Sequence, residues 1–103
     1  MVQVRNVVEV EYGHFADVIR CYEELNEICR SRGWQPATLM TRAGGRANVL
    51  CACTDYNSIE QWDREVTAAH EDPEFMKVLR QAAPHCVQGT ACEEIWTDAP
   101  HMA

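Results

Sequence analysis

An asparagine among valines is the side chain whose surroundings first indicate chemistry. In the stretch VQVRNVVEVEY, residues 2–12, apolar and polar residues alternate, and Asn6 occupies the mostly apolar, even-numbered face. A buried amide without a hydrogen-bond partner costs on the order of 1–3 kcal/mol. We therefore predict that Asn6 makes either a structural hydrogen bond or a functional one.

Two histidines are candidates for proton transfer. His70 precedes Glu71-Asp72-Pro73 at a break in a helical pattern, where the helix C-terminus and nearby carboxylates favour an imidazolium. A capping or solvated histidine is the simpler interpretation, and proton exchange with a bound molecule is the functional one. His14 follows Gly13 at the start of the first helix, and it is either an exposed terminal residue or a group at the entrance of a cleft.

Aromatic residues at helical spacing supply the apolar surface that a substrate would contact. Such residues more often belong to a core, but they can also wall a cleft. Trp62 and His70 are eight positions apart, which is about 80° around a helix, so both can border one cleft. The candidate catalytic residues are Asn6, His70 and His14, and the candidate substrate-binding residues are Tyr12, Phe15, Trp62 and Phe75.

Other potentially reactive groups give weaker signals. The six cysteines contain no CxxC pair and no zinc-ligand spacing, and they fall within apolar patterns where a free cysteine packs as a small hydrophobe. We expect free thiols, and neither a metal nor a cofactor. His85 and Cys86 are adjacent in a predicted loop without an orienting third group, so they do not form a convincing nucleophile pair.

The periodicity of apolar residues places these side chains on secondary-structure elements. Period two over residues 2–12 predicts a strand, and three- and four-residue steps predict a helix over about 14–32 that Gly33 ends. Two short strands flank Gly44-Gly45, and Ser58 begins a second helix with a capping box. A further helical piece runs over about 73–83, and residues 87–96 form a last strand.

This order of elements, β-α-β-β-α-β, is the ferredoxin-like arrangement. It predicts an α+β fold in which a four-stranded antiparallel sheet carries two helices on one face. The uncovered face includes Val7 and parts of the runs 49–53 and 91–95, too apolar a surface for a small monomer to expose. We therefore predict a homodimer through the open sheet face. Residues 1–96 form the single domain, and residues 97–103 a C-terminal tail.

Composition limits the classes of partner. The chain has 103 residues and a net charge of −7, so it offers no basic surface to a phosphate backbone, and we expect no nucleic-acid partner. No long apolar run and no signal-peptide pattern occurs in the sequence. We expect no membrane partner and a cytoplasmic location.

Two segments resemble a known family. Residues 54–75, TDYNSIEQWDREVTAAHEDPEF, and the closing Glu93-Glu94-Ile95-Trp96 are similar to NIPSNAP-like members of the dimeric α/β-barrel superfamily. They resemble antibiotic-biosynthesis-type monooxygenases less closely. The resemblance covers nearly the whole chain, and it implies a cleft between sheet and helices for a small apolar ligand, aromatic or polyketide-like. Because functions differ widely within the superfamily, the fold alone does not decide the chemistry.

Three functional hypotheses remain. If the chain is an enzyme, the resemblance implies cofactor-independent monooxygenation, in which Asn6 binds the substrate oxygen and His70 or His14 takes the phenolic proton. The second hypothesis is a non-enzymatic ligand-binding or assembly module, with the cleft filled by aromatic side chains. The third is a haem-degrading monooxygenase, whose asparagine, tryptophan and histidine would correspond to Asn6, Trp62 and His70, here with a shorter spacing between the last two.

Overall fold

The computed structural model describes residues 1–100 and contains four β-strands and three α-helices. The strands and helices correspond to the alternating and helical patterns of apolar residues in the sequence. The elements are β1 Val2–Glu9, α1 Phe15–Arg32, β2 Thr38–Thr41, β3 Val49–Tyr56, α2 Ile59–Glu71, α3 Pro73–Ala82 and β4 Cys92–Thr97. A 3₁₀ turn, Ala83–His85, leads from α3 towards β4. None of the helices in this described range is long and apolar enough to cross a membrane.

The strands form one antiparallel sheet in the order β2-β3-β1-β4. This is the ferredoxin-like α+β fold that the sequence predicts. The register places Asn6 beside Ala52 on β3 and beside Glu93 on β4. Since paired residues of an antiparallel sheet point to the same face, these three side chains share the face that the helices cover.

Local sequence signals set the helix ends. Gly33 closes α1 in the left-handed conformation, with φ of 76°, which glycine adopts without steric cost. The Ser58 hydroxyl accepts the hydrogen bond of the Gln61 backbone N–H at the start of α2. Asp72 then ends α2 and caps α3, where Pro73 takes the first helical position. The break at Asp72 and Pro73 therefore divides the predicted second helical region into two separate helices.

Apolar side chains pack between the sheet and the helices in separate clusters. One contains Val8, Val10, Val18 and Leu50, and it joins β1 and β3 to the start of α1. A second contains Val2, Val4 and Tyr56 at the other end of the sheet. A third joins α1 to α3 through Leu25, Ile28 and Val78. Val8, Tyr56 and Leu25, one residue from each cluster, line the cavity described below.

The last strand differs from its predicted bounds. It begins at Cys92 rather than residue 87, because Gly89 has a φ of 82° and Thr90 bonds back to the Val87 carbonyl, which forms a turn. Thr97 continues β4 instead of starting the predicted tail, and Asp98 bonds to the amino terminus at 3.0 Å. The final part of that tail, residues 101–103, lies outside the described residues.

Candidate functional site

A cavity of about 940 Å³ lies between the helix-covered face of the sheet and the three α-helices. Its volume falls within the range of about 300–1,000 Å³ that is common for small-molecule sites. Small side chains create the space, because alanines occupy lining positions on β3, on α2 and α3, and directly before β4. These positions are Ala52, Ala69, Ala82 and Ala91.

Asn6 lies on the floor of this cavity. Its side chain is half-buried, and it makes no hydrogen bond with any side chain or backbone group in residues 1–100. Ala52 on one side is too short to fill the space next to it, and Glu93 on the other side also lines the cavity. An amide that both donates and accepts therefore faces the cavity together with a carboxylate.

The second asparagine of the cavity wall is fully paired. Asn26, buried on α1, donates to the carbonyl of Ala37 and accepts from the N–H of the same residue, both at 2.8 Å. These two bonds fix the chain that leads into β2. Asn26 therefore has a structural role, whereas the side-chain amide of Asn6 has no hydrogen-bond partner among residues 1–100.

Glu65 is a buried carboxylate that the protein also satisfies. It accepts the Gln35 backbone N–H at 2.7 Å and the Gln61 side-chain amide at 2.8 Å. Its negative charge acts on a neighbouring phenol. Burial first, and then the Glu65 carboxylate, raise the pKa of Tyr56 to about 12. Burial also raises the pKa of Tyr22, which lines the cavity from α1. Both phenols stay protonated and can donate hydrogen bonds at neutral pH.

Three of the predicted site residues line the cavity. Besides Asn6, these are His70, which is exposed at the end of α2, and Phe75, which lies on α3. The ring of Phe75 contacts Trp34 edge to face, with 6.3 Å between ring centroids. The structure thus brings an amide, an imidazole and an aromatic ring to one cavity.

The three other predicted substrate-binding residues lie elsewhere. Trp62 packs against the Val2, Val4 and Tyr56 cluster, and its indole Nε1 is buried without a hydrogen-bond partner in the described chain. Phe15 packs against the cluster around Val18. Tyr12 is 90% exposed in the turn before α1.

His14 lies outside the cavity lining, at the start of α1. Its ring stacks on that of His85, with 4.4 Å between centroids and 16° between planes. Its Nδ1 lies 3.1 Å from Oδ2 of Asp17. This hydrogen bond, followed by the charge of Arg20, lowers the pKa of Asp17. In the described part of the chain, these two histidines and Asp17 are the residues whose donor atoms are grouped closely enough to hold a metal ion.

Comparison with known proteins supports the architecture. No family profile and no curated protein sequence matches the chain. Among solved structures, a NIPSNAP domain protein from Burkholderia xenovorans matches with a TM-score of 0.79 at 10% identity, over 100% of this chain and 99% of that chain. The chain shares the fold of that protein.

Two further solved structures have the same ferredoxin-like fold. A NIPSNAP family protein of unknown function from Agrobacterium tumefaciens matches with a TM-score of 0.79 at 16% identity, over 96% of this chain and 88% of that chain. An antibiotic biosynthesis monooxygenase matches with a TM-score of 0.74 at 13% identity, over 97% of this chain and 100% of that chain. The predicted resemblance to both groups is confirmed at the level of structure.

The sequence analysis did not identify several polar residues that line the cavity between the sheet and the helices. Glu93 is the most informative, because alternation along β4 places it on the helix-covered face with Ile95 and Thr97. The signal that would have identified Glu93 is the strand register. Because β4 pairs Glu93 with Asn6 on β1, the two polar side chains lie side by side. Glu65, Tyr22 and Tyr56 gave no comparable signal, since each also fits a core or a solvated helix face.

Proposed function

We propose that the cavity binds a small aromatic or polyketide-like molecule and that Asn6 is the group that orients it. The observation that carries this proposal is the state of the Asn6 side-chain amide. It is half-buried, it faces a cavity of about 940 Å³, and it makes no hydrogen bond within the described chain. A protein gains nothing in stability from such a group. A ligand hydroxyl or carbonyl would supply the missing partner.

The other lining groups fit the same class of ligand. Leu25, Phe75 and Leu79 give the wall from α1 and α3 an apolar surface for a ring. The Glu93 carboxylate can accept a hydrogen bond from a second hydroxyl group of the ligand. A flat molecule with one or two oxygen substituents would use both kinds of surface, as small-molecule sites with few convergent polar groups do.

The reaction that this site could support is cofactor-independent oxygenation of an electron-rich phenol. The presence of the fold in an antibiotic biosynthesis monooxygenase favours this candidate over other reactions. His70, on the cavity wall, would take the phenolic proton while Asn6 holds the oxygen. The resulting carbanion would add to O₂ and, after protonation, give a hydroperoxide on that carbon. Loss of the remaining C–H hydrogen together with hydroxide from the O–O bond would then leave one oxygen atom as a carbonyl and release the other as water.

A second copy of the chain completes the proposed assembly. The sheet face opposite the helices exposes Trp96 by 52% and Met40 by 43% of their surfaces. Val7, Cys51 and Cys92 lie in one row across the same face. The same face also carries the polar residues Gln3, Arg5 and Glu94. Burial of its apolar row against an identical row would give a homodimer. A reducing compartment such as the cytoplasm would keep the thiols of this face free.

Binding is tested with 1-naphthol as the probe. We expect saturable binding by calorimetry, and we expect Asn6→Ala to weaken it by a factor of about two to ten, since one hydrogen bond contributes roughly 0.5–1.5 kcal/mol. Ala52→Leu, which fills the floor beside Asn6, should abolish binding. Asn57→Ala, which removes an exposed amide from the loop before α2, is the matched control. Equal affinity in all four proteins would contradict the proposed site.

Oxygen uptake separates the enzyme from the binding module. With an electron-rich substrate such as anthrone, we expect O₂ consumption that falls at least about tenfold in His70→Ala, while binding of 1-naphthol persists. Binding without O₂ consumption across a panel of phenols would support the non-enzymatic hypothesis instead.

A further inference from the structure

Two histidines from distant parts of the chain meet one carboxylate beside the start of α1. His14 is the residue before α1, Asp17 lies in the first turn of α1, and His85 comes from the 3₁₀ turn after α3. The ligand atoms of the three side chains lie within 4.8 Å of one another. None of the three lines the cavity of the proposed function, so the cluster requires its own explanation.

Backbone hydrogen bonds hold the two histidines at this distance. The Glu11 N–H donates to the His85 carbonyl at 2.8 Å, and the Glu11 carbonyl accepts the His14 N–H at 3.0 Å. The Val87 N–H also donates to the Glu9 carbonyl at 2.8 Å. The backbones of both histidines are therefore held beside one short turn, so that the site can form by side-chain rotation alone.

The carboxylate is oriented as well. Oδ1 of Asp17 accepts a hydrogen bond from Arg20 at 3.3 Å, and Oδ2 faces the imidazole of His14 at 3.1 Å. An outer partner that fixes a ligating carboxylate in this way is a common feature of metal sites. His14 makes no side-chain capping bond to α1, so its ring is not committed to a helix-capping role.

We propose that His14, Asp17 and His85 form a binding site for a divalent transition-metal ion of the Zn²⁺ type. Neighbouring ligand atoms of a tetrahedral zinc site with bonds of 2.0–2.1 Å are about 3.3 Å apart. The His14 and Asp17 donors already have this spacing, and rotation of the stacked imidazoles brings the third donor in. Water completes the coordination, because the protein supplies three ligands.

The donor set selects the class of ion. Imidazole nitrogen suits Zn²⁺, Co²⁺ and Ni²⁺, whereas Mg²⁺ and Ca²⁺ prefer sites built from oxygen alone. The bound ion would join the turn between β1 and α1 to the connection between α3 and β4. Residues adjacent to the ligands, Ala83, Pro84 and Cys86, line the cavity, so the ion would stiffen that wall.

Cobalt titration of the full-length, metal-free, reduced protein tests this site. We expect one equivalent of Co²⁺ to bind with visible d–d bands and without a sulfur-to-cobalt charge-transfer band, which excludes the cysteines as ligands. His14→Gln and His85→Gln should each weaken binding more than about 100-fold, and Asp17→Asn about tenfold or more. Asp63→Asn, which neutralises an exposed carboxylate on α2, is the control.

A stability readout keeps the test independent of spectral detail. At a Zn²⁺ concentration about 100 times its Kd, the melting temperature should rise by roughly 10 °C in the native sequence. Without metal, the glutamine variants should melt near the native temperature, which shows that they fold. No Co²⁺ binding, binding with a thiolate band, or unchanged affinity in both histidine variants would overturn the proposal, whether or not 1-naphthol binds.

Discussion

The two asparagines of the cavity wall differ in whether the protein satisfies them, and this difference predicts opposite effects on stability. Asn26→Ala should lower the free energy of unfolding by about 2 kcal/mol, because it leaves the N–H and carbonyl of Ala37 without partners. Asn6→Val should raise it by about 0.5–1 kcal/mol, since valine suits a strand and no hydrogen bond is lost. Urea denaturation at neutral pH measures both.

A loss of stability in Asn6→Val as large as that in Asn26→Ala would contradict the account of Asn6. It would show that the protein itself uses the amide. A gain in stability combined with loss of 1-naphthol binding is the expected pattern for a residue kept for function.

The buried phenol of Tyr56 predicts a dependence of stability on alkaline pH. An unfolded tyrosine ionises near pH 10, whereas the pKa of Tyr56 in the fold is about 12. Between these values the unfolded chain releases a proton that the folded chain keeps, so stability decreases as pH rises from about 10 to 12. Denaturation at pH 9 and pH 11.5 should show a smaller decrease in Tyr56→Phe than in the native sequence, and equal decreases would contradict this assignment.

Residue types alone predicted part of the site. Asn6 attracted attention because it breaks an apolar alternation, and Phe75 and His70 follow from helical spacing. The predictions for Trp62 and Phe15 used the same spacing, but that spacing reports only which stripe of a helix is apolar. Whether a stripe contacts a filled cluster or an open cavity depends on the size of the residues opposite. For Asn6 that neighbour is Ala52, and for Trp62 it is Val2 and Val4.

At the scale of elements, the junction between α2 and α3 depends on one carboxylate. Asp72 accepts hydrogen bonds from the Glu74 and Phe75 N–H groups and pairs with Arg32 at 3.0 Å. We expect the melting temperature to fall in Asp72→Ala, which removes both the cap and the ion pair. It should fall less in Asp72→Asn, because asparagine still caps a helix. Equal melting temperatures in the two variants would contradict the separate capping role.

The same residue predicts a dependence of stability on acidic pH. Hydrogen bonds from the Phe75 backbone first, and then Arg32, lower the pKa of Asp72 in the fold. Its stabilising contribution is therefore present above the unfolded pKa of about 3.9 and disappears as pH falls through the lower folded value. The difference in melting temperature between the native sequence and Asp72→Asn should shrink over that acidic range.

Most elements were predicted correctly because their sequence signals are strong and local. The start of β4, whose sequence signal is weak, was misplaced. The alternation of β1, Gly33 after α1, the Ser58 cap and Asp72-Pro73 each act within a few residues, so the sequence places them well. The start of β4 was misplaced because Val87 continues an apolar run, while Gly89 and Thr90 turn the chain. Strand register required the whole sheet, and only the register revealed that Glu93 accompanies Asn6.

For the whole molecule, the exposed sheet face predicts the assembly. Native mass spectrometry should show a species near 2 × 11.7 = 23.4 kDa. Val7→Glu places a charge in the apolar row at the centre of this face, and it should shift the protein to 11.7 kDa. Thr67→Glu adds the same charge on the exposed side of α2 and should leave the dimer intact. A monomeric native protein would contradict the proposed pairing of sheets.

The central claim is that the space between sheet and helices is a binding site organised by Asn6. The most direct measurement is a two-dimensional NMR titration of the ¹⁵N-labelled protein with 1-naphthol. The account predicts saturable shifts of the Asn6 side-chain amide and of Thr54, Ala69 and Phe75, which surround the cavity. Those shifts should be absent in Ala52→Leu. Shifts confined to surface residues, or an unchanged Asn6 amide at saturating ligand, would contradict the claim.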